Sequence, residues 1–285
     1  MTAAPGPRRD TRGIVDAAEL LTRVRFRRHS PAPELRPFLE HYWLIDWDLT
    51  EPYASHVVPH PSVNLVFERS EGAGDAGVVS GIGLELFTKK LTGRGRVCGV
   101  QFRPGGFRPF APERPVSHWT GRIAPLTEAF PGAGAGGGEG AADATGVLSP
   151  EDDHERVAAL DAFLLAHGPD PGHVPAAAEA MALVGQVRTD RTMRRVSALA
   201  RSAGLSPRSL QRLFAAQVGV GPKWVILRYR IHEALERAES SPGDPPDWAR
   251  LAAELGYSDQ AHLVRDFTAT VGVPPTAYAR AVSDP

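Results

Sequence analysis

Arg208, Gln211 and Arg212 stand at i, i+3 and i+4, so on a helix they project together from one face. A guanidinium can bridge guanine O6 and N7, and a carboxamide can bridge adenine N6 and N7. That triplet is equipped to read base edges. A second set follows further along: Gln260, Ala261, His262, Val264 and Arg265. Its Ala261 and Val264 offer apolar contact to thymine methyls rather than hydrogen bonds. The surroundings of the first set suit phosphate. Residues 186–232 hold ten basic residues and one acid, Asp190, whereas 233–285 hold four arginines and nine acids. A formal net charge of −1 over the chain hides this block, and such a block is the electrostatic footprint of a nucleic-acid partner. Arg194, Arg195, Ser206, Lys223 and Arg228 are its candidate phosphate contacts.

Other chemistry is sparse. His56 and His60 are four apart with Pro59 between them, a poor start for a helical metal pair, so structural or surface roles are expected. Trp43, Trp47, Asn64 and Arg103 are candidates for an effector pocket, which combines aromatic walls with few polar groups. Arg103-Pro104-Gly105-Gly106 is expected to be a tight turn. Cys98 is the single cysteine, expected to be an inert buried thiol. One cysteine cannot form an intrachain disulfide or a zinc site of several thiolates. No phosphate loop of the P-loop or Rossmann kind is present. No catalytic residue, metal or cofactor is implied, and the chain is not expected to be an enzyme.

The elements that must position these residues carry an internal repeat. LARSAGLSPRSLQRLFAAQVGVGP (199–222) and LAAELGYSDQAHLVRDFTATVGVPP (251–275) share ten identities with one inserted residue. In each unit a short helix ends at Gly204 or Gly256, where glycine tolerates the left-handed conformation. Ser206 caps the next helix with Pro207 at its first position, and Ser258 or Asp259 caps the equivalent one. The second helices bury Leu210 and Phe214, or Leu263 and Phe267, and end near Gly219 and Gly272. Two helices joined by a short turn make a helix-turn-helix unit. Between the units Trp224, Leu227, Ile231, Leu235 and Ala238 form a stripe. A long helix there would place two readers about 34 Å apart, one turn of duplex.

Residues about 186–280 resemble the DNA-binding domain of the AraC/XylS family of bacterial transcription regulators, on LARSAGLSPRSLQRLFAAQVGVGPKWV and LAAELGYSDQAHLVRDFTATVGVPPTAY. The resemblance implies two helix-turn-helix units joined by a long helix. By position it places the family's base-reading residues on Arg208, Gln211 and Arg212, and on Gln260, Ala261, His262, Val264 and Arg265. The segments PAPELRPFLEHYWLIDWDL, VVPHPSVNLVFE and GVQFRPGGFRPF resemble a cupin-related sensor-like domain found ahead of such DNA-binding domains.

The expected fold is α+β: a small β-sheet or partial barrel, then an all-α domain of two helix-turn-helix units. At 285 residues about two domains are expected. The divisions are a disordered tail over 1–13, a β-rich sensor-like domain over 14–130 and a flexible Gly/Ala-rich linker over 131–150. Connecting helices over 151–185 lead to the DNA-binding domain over 186–285. In the first domain Trp43, Ile45, Trp47 and Leu49 alternate as in a half-buried strand. Val57–Val58, Val63–Phe67, Val78–Val79, Glu85–Leu91 and Val97–Phe102 are further short strands. Gly93–Arg94–Gly95 is expected to turn between the last two, and Pro33–Glu40 to form a short helix. Val157, Leu160, Phe163 and Leu164 share a helical face expected to pack inward. No apolar run approaches the ~18 residues of a membrane span, and the opening residues, with no apolar stretch after their arginines, are not expected to be a secretory signal.

The function expected is sequence-specific DNA binding in bacterial transcription regulation, in the cytoplasm, with an effector-responsive N-terminal domain. Expected partners are double-stranded DNA, RNA polymerase, a small-molecule effector and a second copy in a homodimer, with no membrane. The alternative is a cupin-like metal enzyme fused to a DNA-binding domain.

Overall fold

The computed structural model describes residues 13–15, 17–131, 144–190, 192–240 and 246–283. A short helix α1 (Ala17–Arg23) leads into β1 (Val24–His29). Strands β2 (Leu39–Val57), β3 (Asn64–Ser70), β4 (Ala76–Ser80), β5 (Phe87–Phe102) and β6 (Ile123–Pro125) complete one antiparallel sheet in the order β1-β2-β5-β3-β4-β6. Alternation along β2 sends Tyr42 and Leu44 into the main core and Trp43, Ile45 and Trp47 to the opposite face, under α1. Two of the three glycines in β5 follow from this. Gly99 lies opposite Trp43 and Gly95 opposite Trp47, and a Cβ on either glycine would land inside the indole.

Two local expectations give way here. Gly93–Arg94–Gly95 does not turn; the three residues continue β5 opposite Leu49, Asp48 and Trp47. Gly95 is there to make room for the Trp47 ring, and Gly93 sits at the register irregularity between Leu49 and Tyr53, so the two strands expected on either side are one. Pro33–Glu40 forms consecutive turns, with Leu35 and Arg36 N–H groups both donating to the Ala32 carbonyl, and the strand starts at Leu39.

Beyond the sheet come α2 (Leu126–Ala129), α3 (Ala144–Leu148), α4 (Asp153–His167) and α5 (Val174–Thr189). The tail expected over 1–13 lies outside the described residues except for Gly13, and the linker expected over 131–150 lies outside them for 132–143. Residues 144–148 are helical rather than linker. In α4, Leu160, Phe163 and Leu164 are fully buried against the sheet, while Val157 is half-buried. A buried ion cluster fastens α4: Asp46 on β2 accepts from Arg96 (3.1 Å) and from Arg156 (3.1 Å), and Arg156 is almost fully buried. Hydrogen bonds from Arg27 and the charges around it hold the Asp153 carboxyl down at about 2.

The C-terminal region is α6 (Val196–Ser202), α7 (Pro207–Gln217), α8 (Pro222–Glu239), α9 (Trp248–Leu255), α10 (Gln260–Val271) and α11 (Pro275–Ser283). It has two cores. Leu199, Leu210, Phe214, Val218, Val225 and Ile226 belong to the same apolar cluster as the sheet. Ile231, Leu235, Trp248, Leu251, Leu263, Phe267 and Tyr278 form another. Helix α8 passes from one to the other. The stripe expected on it holds at Ile231, Leu235 and Ala238, but Trp224 and Leu227 are only half-buried, and Val225, Ile226 and Arg228 are buried instead. The first half of α8 packs against the N-terminal domain, which a helical period taken alone does not encode. Among the described residues no helix is long and apolar enough to cross a membrane.

Candidate nucleic-acid interface

Each unit is built from locally coded caps. Ser206 accepts from the Ser209 N–H (3.1 Å), with Pro207 in the first turn of α7. Asp259 accepts from the His262 N–H (2.7 Å) at the head of α10. Of the two candidate caps there, Asp259 does the work, and that bond lowers its pKa. Gly204 (φ +64°), Gly256 (+79°), Gly219 (+94°) and Gly272 (+87°) all sit in the left-handed region, where only glycine is unstrained. These signals fix where α7 and α10 begin and end, and hence which side chains face outward.

On α7, Arg208, Gln211 and Arg212 are all exposed, while Leu210 and Phe214 are buried. Neither arginine makes an ion pair among the described residues. Arg195, Arg201 and Lys223 are likewise exposed and unpaired among them. A cationic surface without its own counter-charges keeps its full attraction for phosphate. Arg201 shares the basic block with its neighbours, and only its exposure at the end of α6, which no local spacing signals, distinguishes it.

Two of the expected phosphate contacts are otherwise engaged. Arg228 is buried, its Nη2 donates to the Leu84 carbonyl (3.1 Å), and its guanidinium lies 4.5 Å from the Trp224 ring centroid. Burial pushes its pKa down to about 10. It faces the N-terminal domain, not solvent, because the β4–β5 loop covers it. Arg194 is exposed but donates to the Glu254 carbonyl on α9.

The second unit offers less. Gln260, Ala261 and Arg265 are exposed, but His262 and Val264 are half-buried. The His262 ring lies 3.2 Å from the Ser258 hydroxyl and 3.7 Å from the Asp266 carboxylate. Its side chain is therefore held between Ser258, just ahead of α10, and Asp266 one turn further on.

Residues 199–281 match the model of a helix-turn-helix domain family. The C-terminal region is an AraC-type helix-turn-helix domain. The protein carrying it is a DNA-binding transcription regulator. Residues 27–125 match a domain of unknown function, DUF6597. No curated protein matches the chain. Among solved structures, an AraC-type transcriptional regulator from Chromobacterium violaceum is 19% identical with a TM-score of 0.34, covering 40% of this chain and 97% of its own. ToxT from Vibrio cholerae is 10% identical with a TM-score of 0.42, covering 84% and 97%. An unsaturated fatty acid-bound form of ToxT is 13% identical with a TM-score of 0.40, covering 85% and 94%.

The N-terminal half of this regulator does not gather the expected effector residues. Trp43 and Trp47 are spent on covering Gly99 and Gly95, and Trp47 Nε1 donates to the Thr92 carbonyl (3.2 Å). Arg103 staples the turn before β2 by donating to the carbonyls of Arg36 (3.0 Å) and Leu39 (3.1 Å). Asn64 opens β3 opposite Gln101. None of the four lines the cleft of about 330 Å3 that lies between the sheet and helices α5, α8 and α9. Its walls include His41, His60 and Gln101 from one side and Arg188, Tyr229 and His232 from the other. His60 stacks on His232 at 3.9 Å, a packing role across the domain boundary, and His56 Nδ1 lies 3.0 Å from the Thr88 hydroxyl. The segment at Arg103 is a turn, closed by the Gly106 N–H on the Arg103 carbonyl (2.7 Å). Cys98 is fully buried, and burial pushes its thiol up to about 11. Among the described residues no cluster of three or more His, Cys, Asp or Glu could hold a metal.

Proposed function

We propose that this regulator lays α7 and α10 into successive major-groove segments of one duplex, with the first unit carrying most of the affinity and specificity. The observation behind this is the bare cationic face of α7, where Arg208 and Arg212 are exposed, unpaired among the described residues and held by a capped helix. Arg208, Gln211 and Arg212 would read bases in the first segment, with Gln260, Ala261 and Arg265, flanked by His262 and Val264, in the second. Arg195, Arg201 and Lys223 would hold phosphates, with Ser206 fixing the helix start beside them. Selection of binding sites from random duplex DNA by the purified chain tests this. Two half-sites about one turn apart are expected, and enrichment of no sequence would refute it.

Effector response belongs to the same proposal. The polar cleft between the two halves is a place where a small molecule with both donors and acceptors would bear on α8, so a ligand raising the melting temperature supports it. As a cytoplasmic regulator the protein would act on RNA polymerase at a promoter, as a monomer spanning two half-sites or as a homodimer spanning four.

A further inference from the structure

The internal repeat makes Gly219 and Gly272 equivalent positions, the left-handed turns that end α7 and α10. Both turns meet the same short segment of the N-terminal domain, the loop between β4 and β5. A methyl group on Gly219 would come within 2.7 Å of Ile82 Cδ1, and one on Gly272 within 3.3 Å of Leu86 Cδ2. Ile82 is fully buried in the core shared by the sheet and the first unit, while Leu86 packs on the core of the second. Between them the Leu84 carbonyl accepts from Arg228 of α8, the helix that joins the units. One loop therefore touches the end of each reading helix and the rod that separates them.

The loop is itself held firmly. The Gly81 N–H donates to the Arg122 carbonyl (2.9 Å), and the Ile82 carbonyl accepts from Gly121 (2.9 Å). Gly81 lies so close under the Trp119 carbonyl that no Cβ fits, and a Cβ on Gly83 would meet Pro59 at 3.0 Å. Thr120 reaches past it to donate to the Gly219 carbonyl (2.8 Å). Ile82 and Leu86 are at most about 14 Å apart even on a fully extended chain, less than half of the ~34 Å between successive major-groove segments. The C-terminal turns of both helices are thus gathered on one narrow strap while their capped N-termini stay exposed. The second unit has its own core, so without the strap its placement rests on α8, on Val58 and on bonds such as that from Arg194 to Glu254.

We propose that residues 81–86 are an intramolecular clasp through which the N-terminal sheet sets the placement of the second DNA-reading unit relative to the first. Any change in the sheet that shifts this loop then alters which half-site spacing the protein accepts. The inference rests on the duplex-reading function proposed above.

The test uses the full chain and the duplex it selects, with the distance between half-sites changed by two base pairs in either direction. Wild type should lose about tenfold or more in affinity on either change, since misplacing one unit forfeits readout worth at least one base pair. Leu86→Ser removes the pin on the second unit. A Gly-Gly insertion between Gly83 and Leu84 lengthens the strap without altering Ile82 or Leu86, and serves should Leu86→Ser not fold. Either variant should bind the three spacings within about threefold of one another, and hydrogen exchange without DNA should quicken in α10 but not in α7. A wild-type spacing profile in the variants, with wild type itself binding, overturns the clasp and leaves the DNA-reading function standing. A wild type that selects no duplex overturns that function, and the clasp's role in spacing with it.

Discussion

The two helix-turn-helix units repeat each other at ten positions, yet they live in different surroundings. The first buries Leu210 and Phe214 in a core continuous with the sheet, and shows solvent Arg208 and Arg212 with no acidic partner among the described residues. The second buries Leu263 and Phe267 in a core of its own, and places His262 beside Asp266 on an acid-rich stretch. One motif thus serves once as a strongly cationic unit anchored on the sheet's core and again as a lighter module with a core of its own. The motif specifies the shape of each unit; what packs behind it specifies how firmly that shape is held in place.

The largest effect should come from the cores. Phe214→Ala and Phe267→Ala each remove a fully buried ring, a change costing about 3–5 kcal/mol. In calorimetry Phe214→Ala should lower the transition of the sheet together with the first unit, whereas Phe267→Ala should lower only the melting of the second unit. Equal displacement of every transition by both variants would mean the two cores act as one. Next in size is base readout. Arg212→Ala should cost about 1–3 kcal/mol on the selected duplex and relax base choice at its position, and Arg265→Ala should cost less. The reverse order in the same titrations would exchange the roles of the units. A smaller effect is electrostatic. Arg201→Ala or Lys223→Ala should weaken binding alike on selected and unrelated duplexes, and reduce the salt slope by about one. A loss confined to the selected sequence would make the residue a base reader instead.

The smallest difference concerns the caps. Asp259, whose pKa is lowered by the His262 N–H, stabilises α10 while it is a carboxylate. That contribution is complete above the ordinary carboxylate range and is lost as pH falls through the lowered value. Ser206 has no such dependence. Amide exchange in α10 should quicken in acid more than in α7, and Asp259→Ser should remove the difference.

The helix-turn-helix half was legible because its signals are local. Ser206, Pro207, Asp259 and the four left-handed glycines act within a turn of where they stand, and each is found in its expected place. The strands were legible where alternation was clean, as at Trp43 to Leu49. They were misplaced at Gly93–Arg94–Gly95, where Gly95 answers to Trp47 on the neighbouring strand rather than to a turn. The effector candidates failed for the same reason: Trp43 and Trp47 have pocket-like chemistry, but partners some fifty residues away claim their rings.

From residue order alone came the repeat, the caps, the basic block and the outward polar face of α7, since each depends on spacing within a helix or on composition. Tertiary structure decided which of the described basic residues meet solvent, that Arg228 is turned inward to a loop far away in sequence, and that one strap reaches both units. Burial is set by whatever packs against a side chain, and that neighbour comes from a distant part of the chain that no local period records.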